Sequence, residues 1–534
     1  MKNKGKKFIV VLVIAIVLAE EIWRLVTLPP LNLQASWLAY LAIILVAVFG
    51  LVKAIDARLK KENKPRHAIA SKRWFMLCWV PIIVVTVINV AASPLFNAKG
   101  WANRITIDED GSFAQAVKAV DFDTVPLLDR SSTEKLGDRT MGQLPDYVSQ
   151  FDVSDEYTQI TYKGRLVRVT PIDYSDMVKW FTNRVAGTPG YIIVDSTTGE
   201  SKLVKVDGGL HYTKGAFMLE DLERHIYMHY PTLIRGTADF EIDESGHPFW
   251  VQEYYAVSGI GIMPRVAGVV TCDAVDGSLQ RYPVGEVPTW IDNVYPASLI
   301  SEEVNNHGDY QKGFFNSMFE QVGVTHLTDG YTYYQQDGDV WMYSGITSVK
   351  SDESNLGFVL VNLRTHQANY VSCPGAEEYS AMDSAKGAVQ EKGYTTNFPI
   401  LINLNDKPVY LMSLKDDAGL VKAYAFVSVT DYQKVSVTSS SDGIVAAARN
   451  YLAMIGDTGA AVGDIVTDSV VVQSISNAVI DGTTYYYITS TEGTRYRLSI
   501  NASELLPFVK AGDGLAIVRA KDDTGAVIEG LKLQ

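Results

Sequence analysis

The chain has 534 residues, of which 47% are hydrophobic and 20% are charged, and its formal net charge is −14. This length exceeds one ordinary hydrophobic core, so the sequence predicts several domains. The apolar content excludes wholesale disorder. The first 92 residues hold 13 of the 47 basic and 4 of the 61 acidic residues, so the remainder has a formal net charge of −23. Such an acidic surface argues against nucleic acid as a partner.

Three apolar stretches in residues 8–26, 37–52 and 74–92 are each close to the ~17–25 residues that cross a bilayer as a helix. They predict a three-helix transmembrane anchor over residues 1–92. A buried core helix is the alternative for any one stretch, and a cleaved signal peptide is the alternative for the first. We favour an uncleaved anchor because residues 19–23 contain no small-x-small cleavage site.

The placement of basic residues predicts the orientation of this anchor. Lysines cluster at residues 2–7, and lysines and arginines cluster at residues 53–73, whereas residues 27–36 carry no charge. The positive-inside rule then places the N-terminus in the cytoplasm and everything after residue 92 outside it. The predicted location is the cell membrane, multi-pass, with an extracytoplasmic C-terminal region.

A repeated template is the most informative pattern in the rest of the chain. Residues 190–199, 268–277 and 357–366 each read as a glycine, a short apolar strand, and an Asp or Asn that opens a turn. Asp and Asn bond to their own backbone in turns, and Gly accepts positive φ, so each template predicts a hairpin. Upstream hairpins are predicted to turn at residues 163–164, 245–246 and 337–338, and a fourth near 405–406.

Predicted helices lie between these hairpins. Apolar residues recur at helical spacing in residues 218–230 and 441–455, and less regularly in 173–185 and 298–322. The predicted fold class is therefore α+β, with tandem helix-plus-antiparallel-sheet modules and a small OB-like β-barrel at the C-terminus. The predicted units are an anchor (1–92), a membrane-proximal linker (93–150), modules at 151–213, 214–297, 298–376 and 377–437, and a helix plus barrel (438–534).

Residues 219–284 resemble a PepSY domain, a small extracytoplasmic module found beside bacterial peptidases and in envelope proteins. The similarity consists of a helix ending at His229-Tyr230-Pro231, a hairpin through Phe240 and Trp250, and a strand that ends in Asp273 and Gly277. Residues 379–429 look like a second copy, and 157–206 and 331–371 like partial ones. The resemblance implies a non-enzymatic regulator, inhibitor or chaperone of partner proteins, in which the matching turn residues Asp195, Asp273 and Gly277 are structural.

Few residues suggest catalysis or metal binding. His225 and His229 have the i, i+4 spacing of a metal-binding pair, but no third ligand accompanies them, and a surface pair is favoured. Ser132 and Lys135 form a Ser-x-x-Lys pattern without the partner motifs of an acyl-enzyme. Asp108 begins an acidic turn that lacks the last ligand of a calcium loop, since that place falls at Ala119. No catalytic residue, cofactor or metal is therefore predicted.

The two cysteines after the predicted anchor, Cys272 and Cys373, leave one long-range disulfide open. The predicted function is a non-enzymatic, membrane-anchored extracytoplasmic scaffold or regulator that binds envelope proteins, with the lipid bilayer as a second partner. The alternative is a self-assembling structural envelope subunit, supported by tyrosine-rich strands. A hydrolase that uses His225, His229 or Ser132 is a third hypothesis.

Overall fold

The computed structural model describes residues 23–24, 26–59, 76, 79–109, 111–348, 354–457, 465–480, 483–500, 505–520 and 530–533. Most of the first predicted membrane stretch, residues 8–22 and 25, lies outside the described residues. The described N-terminal helices are Ser36–Leu59, Trp79–Ala92 and Pro94–Ala102.

Within the ranges that the structure describes, the predicted transmembrane helices are not found. Among the described residues, no single helix is long and apolar enough to cross a membrane. The apolar part of the first helix is confined to Ser36–Gly50, and Trp79–Ala92 has only 14 residues. Trp79–Ala92 and Pro94–Ala102 meet the length and composition criteria only as a pair, and the pair is bent by 45°. The predicted fold class and the multi-pass membrane location are therefore wrong.

Antiparallel sheet dominates the molecule instead. Four consecutive sheets, I to IV, each contain a four-stranded up-and-down meander in which neighbouring strands are joined in chain order. Sheets I, III and IV add short strands to the edge of this meander. The strands of sheet I are Phe151–Val153, Thr158–Tyr162, Arg165–Tyr174, Thr188–Asp195 and Ser201–Leu210, and those of sheet II are Ile234–Ile242, Pro248–Ser258, Ile262–Asp273 and Leu279–Pro283. Those of sheet III are Ile107–Asp108, Thr325–Leu327, Thr332–Gln336, Asp339–Ser348, Ser354–Asn362 and Ala368–Ala376, and those of sheet IV are Thr395–Thr396, Ile400–Leu404, Lys407–Lys415, Val421–Ser428 and Val435–Ser439.

The turns between the strands of these meanders lie where the sequence predicts them. The upstream hairpins turn at Lys163, Asp337 and Asn405, which all have the positive φ that tight turns require. The template turns begin at Asp195 and Asp273, whose carboxylates accept backbone N–H groups two and three residues ahead. The predicted hairpins are therefore confirmed.

The glycine that opens each template has a specific steric role. A Cβ atom at Gly190 would overlap the carbonyl oxygen of Val204, and one at Gly268 would overlap that of Tyr282. The strand pairing is irregular next to Gly190, where the register shifts by three residues: Thr188 pairs with Leu210, but Gly190 pairs with Lys205. Gly357 has the same close approach. The repeated glycine thus admits the neighbouring strand at a β-bulge.

Short helices cross between the sheets near the predicted positions. The 218–230 prediction corresponds to Leu222–His229, which begins later because the carboxylate of Asp221 caps it through the Arg224 amide. The remaining helices are Phe113–Ala116, Arg130–Gly142, Pro145–Val148, Met177–Asn183, Ala297–Tyr310, Glu378–Gly387 and Ile444–Met454, with a π-helix at Asn316–Glu320 and 3₁₀ turns at Gln390–Lys392, Ser440–Asp442 and Leu506–Phe508. Residues 93–150, predicted to be an irregular linker, thus contain a 13-residue helix, Arg130–Gly142.

Successive sheets pack face to face in chain order. Alternate residues of one strand show this: Tyr191 and Ile193 pack between sheets I and II, whereas Ile192 packs on the opposite face. Sheet II shares its other face with sheet III through Val251 and Val359. Sheet III packs in turn on sheet IV. Burial on both faces explains the near-continuous apolar strands.

A strap formed by residues 117–129 joins the last sheet to the first. The Asn403 side chain of sheet IV donates to the carbonyl of Val117 at 2.9 Å, and the Ser413 hydroxyl donates to that of Leu127 at 2.8 Å. One residue later, the amide of Leu128 donates to the carbonyl of Ser196, next to sheet I, at 3.0 Å. The strap closes the four sheets into a ring, the arrangement of blades in a β-propeller.

The C-terminal region is a separate antiparallel sheet rather than the predicted barrel. In the described part of the chain, its strand order places Arg495–Ser499 and Gly530–Leu533 at the two edges. The inner strands are Thr483–Ser490, Ile465–Ile480 and Gly514–Ala520. The long strand Ile465–Ile480 pairs with a different neighbour along each half, so the sheet bends around its own core.

Candidate functional site

A polar cavity lies between sheets I, II and III and the strap. Its volume is about 500 Å³, within the ~300–1,000 Å³ typical of small-molecule sites. Its wall contains residues of four strands and of the strap; the strands are Thr158–Tyr162 and Arg165–Tyr174 of sheet I, Ile234–Ile242 of sheet II and Thr332–Gln336 of sheet III. The lining residues used below are Asp129, Glu156, Tyr157, Arg168, Asp239, Asn293, Pro296, Ala297, Ser298, Tyr331, Tyr333 and Phe398.

Arg168 is the most unusual group on this wall. It lies in the strand Arg165–Tyr174 of sheet I and is only 9% exposed. Its Nε has no hydrogen-bond partner, and among the described residues no carboxylate forms an ion pair with its guanidinium. Burial lowers the pKa of Arg168, but an arginine in a protein remains charged. A buried, unpaired guanidinium is costly, so this residue is poised for an anion.

A helix N-terminus opens onto the same cavity. The helix Ala297–Tyr310 begins after Pro296, whose ring has no hydrogen-bond acceptor that could cap it. Pro296, Ala297 and Ser298 all line the cavity. Free N–H groups at a helix start carry partial positive charge and favour anions. The cavity therefore contains two independent features that attract negative charge.

Asp239 supplies an acidic group on the sheet II side of the wall. Burial, together with the nearby carboxyls of Glu253 and Glu241, raises its pKa to about 8. The side chain is half-buried because it faces the cavity. At neutral pH the unliganded carboxyl is therefore mainly protonated.

The loop that carries the helix start is held by a buried carboxyl. Glu241 is fully buried and accepts the backbone N–H groups of Asp292 at 2.9 Å and of Asn293 at 3.0 Å. Asp292 accepts the amide of Thr161 in sheet I at 2.5 Å. Burial raises the pKa of both carboxyls. These bonds fix the loop to sheets I and II.

The other acidic groups of the cavity are already paired. Asp129 caps the helix Arg130–Gly142 and accepts a charge-assisted hydrogen bond from the side chain of Lys415 in sheet IV. Glu156 pairs with Lys214 at 2.7 Å. Their negative charge is therefore balanced within the protein.

The predicted histidine pair does not form a metal site. The rings of His225 and His229 are tilted by 57° to each other with centroids 4.8 Å apart. Each ring bonds to a backbone carbonyl, that of Gly277 for His225 and that of His225 for His229. Within the described ranges, no group of three or more His, Cys, Asp or Glu side chains could hold a metal ion. Asp110 of the acidic turn lies outside the described residues.

The two side chains of the Ser132-x-x-Lys135 pattern have different hydrogen-bond partners. Lys135 donates to the carbonyl of Ala418 at 3.3 Å, while buried Ser132 lies 3.4 Å from the Nζ of Lys415. That lysine is engaged by Asp129, so it is not a free base for the serine. Cys272 and Cys373 are both buried and free, so no disulfide joins them.

Sequence reasoning missed Arg168 and Asp239, because each stands alone in a strand with no motif around it. One signal was present: a charged residue in the middle of an apolar strand. Arg168 interrupts the run Leu166-Val167-Arg168-Val169, and Asp239 precedes Phe240. Such a residue needs a partner that only the tertiary structure can supply.

Comparison with known proteins gives only distant similarity. No protein-family model and no curated protein sequence matches the chain. Two mutant structures of Synechocystis apocarotenoid oxygenase align at 9% identity over 72% of this chain, with a TM-score of 0.14. The chain spans 62% of the length of those structures. A similarity this low carries no argument about fold or function.

Proposed function

We propose that the protein binds a small organic anion, with a carboxylate or phosphate group, in the central cavity. The observation that carries this proposal is the buried guanidinium of Arg168, which lines the cavity without an acceptor among the described residues. A bidentate carboxylate or phosphate is the natural partner of a guanidinium in a dry site. The N-terminus of the helix Ala297–Tyr310 would add backbone N–H donors.

The experiment is a thermal-shift screen of the full chain with aliphatic carboxylates, aromatic carboxylates and inorganic phosphate, followed by calorimetric titration of any compound that raises Tm. Arg168→Met removes the cation but keeps an apolar side chain in the strand. The loss of a charged hydrogen bond is worth ~1.5–3 kcal/mol, so we expect affinity to fall about 10- to 100-fold.

Arg165→Gln is the matched control. Arg165 lies in the same strand, but its side chain is 53% exposed and pairs with Asp195 at 2.9 Å. We expect this variant to bind as the wild type does. The proposal is refuted if no carboxylate or phosphate raises Tm, or if Arg168→Met binds as tightly as Arg165→Gln.

A partner-binding function is a second candidate, as the PepSY-like pattern predicts. One observation favours it: neighbouring apolar side chains are exposed on the helix Met177–Asn183 and the turn beside it. Phe181 is 67% exposed and Leu219 is 68% exposed. Trp180 contacts Phe217 with ring centroids 5.7 Å apart, which joins the two segments into one surface.

In-cell crosslinking with mass spectrometry separates the forms of this second function. Crosslinks from this surface to another protein would support a scaffold or regulator, and crosslinks to a second copy would support self-assembly. Phe181→Ser should abolish either set. Crosslinks that persist in Phe181→Ser, or their absence in the wild type, would count against this second function.

A further inference from the structure

Besides Arg168, the wall of the central cavity contains a second ionisable side chain without a partner. Among the described residues, the carboxyl of Asp239 has neither a hydrogen bond nor an ion pair. Asp239 and Arg168 line the same cavity but do not pair with each other. The wall thus carries one basic and one acidic group, and neither has a partner. We call the Arg168 guanidinium and the Asp239 carboxyl the two poles of the cavity.

Both poles act on one hydroxyl. Burial raises the pKa of Tyr333 above its usual value; the positive charge of Arg168 opposes this rise, and the carboxyl of Asp239 adds to it. Arg168, Asp239 and Tyr333 line the same cavity of about 500 Å³. A cavity of this size is within the range that one small molecule fills, so a single ligand can contact both groups.

The remaining charges on the wall do not offer an alternative pole. Asp129 is held by Lys415, and Glu156 is held by Lys214. Among the acids that line the described cavity, Asp239 is the one without a cationic partner.

We infer that the cavity takes a zwitterion: a small molecule whose carboxylate binds Arg168 and whose ammonium group binds Asp239. The chemical class is that of a free amino acid. Tyr331, Tyr333 and Phe398 also line the cavity, and aromatic rings favour an ammonium group. The volume of about 500 Å³ leaves room for a side chain.

Binding of a zwitterion should release a proton from Asp239, and this release can be measured. An ammonium group stabilises the ionised carboxylate, so the ligand lowers the pKa of Asp239 from about 8. At pH 7, the proton leaves Asp239 for the solvent as the ligand enters. A ligand that carries only a carboxylate gives no such release from this residue.

This inference rests on the proposed anion site, and matched ligands separate the two. Phenylalanine is compared with 3-phenylpropionate, which lacks the ammonium group, and with phenethylamine, which lacks the carboxylate. Leucine is compared with 4-methylpentanoate and isoamylamine. γ-Aminobutyrate and 6-aminohexanoate vary the spacing between the two charges. Affinity is measured by calorimetry on the full chain, and proton release with a pH indicator in unbuffered solution.

We expect at least one zwitterion to bind tenfold or more tightly than either of its singly charged analogues, with proton release. Asp239→Asn should abolish the release and reduce the affinity for the zwitterion to that of the carboxylate, while carboxylate binding is kept. Asp383→Asn changes an acid whose side chain is 79% exposed, and it should alter neither.

Two results would overturn the inference. Carboxylates that bind as tightly as the zwitterions would show that Asp239 recognises nothing, and the anion site would still stand. Equal binding and equal proton release in Asp239→Asn would have the same meaning. If no compound with a carboxylate binds at all, the anion site itself fails, and the zwitterion site fails with it.

Discussion

Asp239→Asn should change how the stability of the unliganded protein depends on pH. The raised pKa means that the native state keeps a proton that the unfolded chain loses above its usual value of 3.8. The contribution of Asp239 is therefore fully present below pH 3.8 and is lost as pH rises towards 8. Asparagine is neutral at every pH and avoids this loss.

The magnitude follows from the size of the pKa change. A rise of about four pKa units corresponds to ~6 kcal/mol at ~1.4 kcal/mol per unit. Asp239 is half-buried, and solvent in the cavity reduces this value, so about half of it is the better expectation. Between pH 5 and pH 8, Asp239→Asn should gain ~2 kcal/mol in free energy of unfolding relative to the wild type.

Urea unfolding followed by tryptophan fluorescence at pH 5, 6, 7 and 8 measures this difference. Trp250 is fully buried in the strand next to the one that carries Asp239. Taking the difference between the two proteins at each pH cancels most of the effect of the other buried carboxyls. Asp383→Asn should show no trend with pH. A difference that stays flat from pH 5 to pH 8 would refute the assignment of Asp239 as a mainly protonated carboxyl.

Three further outcomes follow from the fold and the cavity. Arg168→Met should raise the Tm of the unliganded protein in a thermal melt, because it removes a buried charge that lacks a partner; a lower Tm would contradict this. Gly190→Ala should lower the free energy of unfolding in urea by more than ~2 kcal/mol. Gly164 has open space around it, so Gly164→Ala should cost only about 1 kcal/mol for the positive φ. Equal costs would exclude the proposed bulge. Glu241→Ala should cost about 3 kcal/mol, since two buried N–H donors lose their acceptor, and amide exchange at Asn293 should accelerate; unchanged exchange would show that the loop is held by other contacts.

Local patterns in the sequence predicted the hairpins well. The residues that open the turns, such as Asp195 and Asp273, act through their own nearest neighbours, so the sequence around them contains all the relevant interactions. The sequence also showed the glycine that opens each template, but it did not show why glycine is required there. The carbonyl that approaches Gly190 belongs to the next strand, and only the pairing of the strands brings it there.

The N-terminal prediction failed for a related reason. Apolar content and length describe a stretch of sequence, but they do not show where a helix ends or bends. The structure ends one helix at Ala92 and starts the next at Pro94, with a 45° bend between them. A residue before proline is disfavoured in helical conformation, so the 14-residue helix Trp79–Ala92 does not continue past Ala92 to the length of a membrane span.

By itself, the sequence determined the turns, the alternating strands and helices, and the acidic charge, since these depend on residues that are neighbours in the chain. The tertiary structure alone decided that four sheets close into a ring through the strap of residues 117–129. It also brought Arg168 and Asp239, 71 positions apart, to one cavity. Long-range packing determines whether a charged residue in a strand has a partner within the protein or is left to bind a ligand. A local sequence pattern contains no information about that packing.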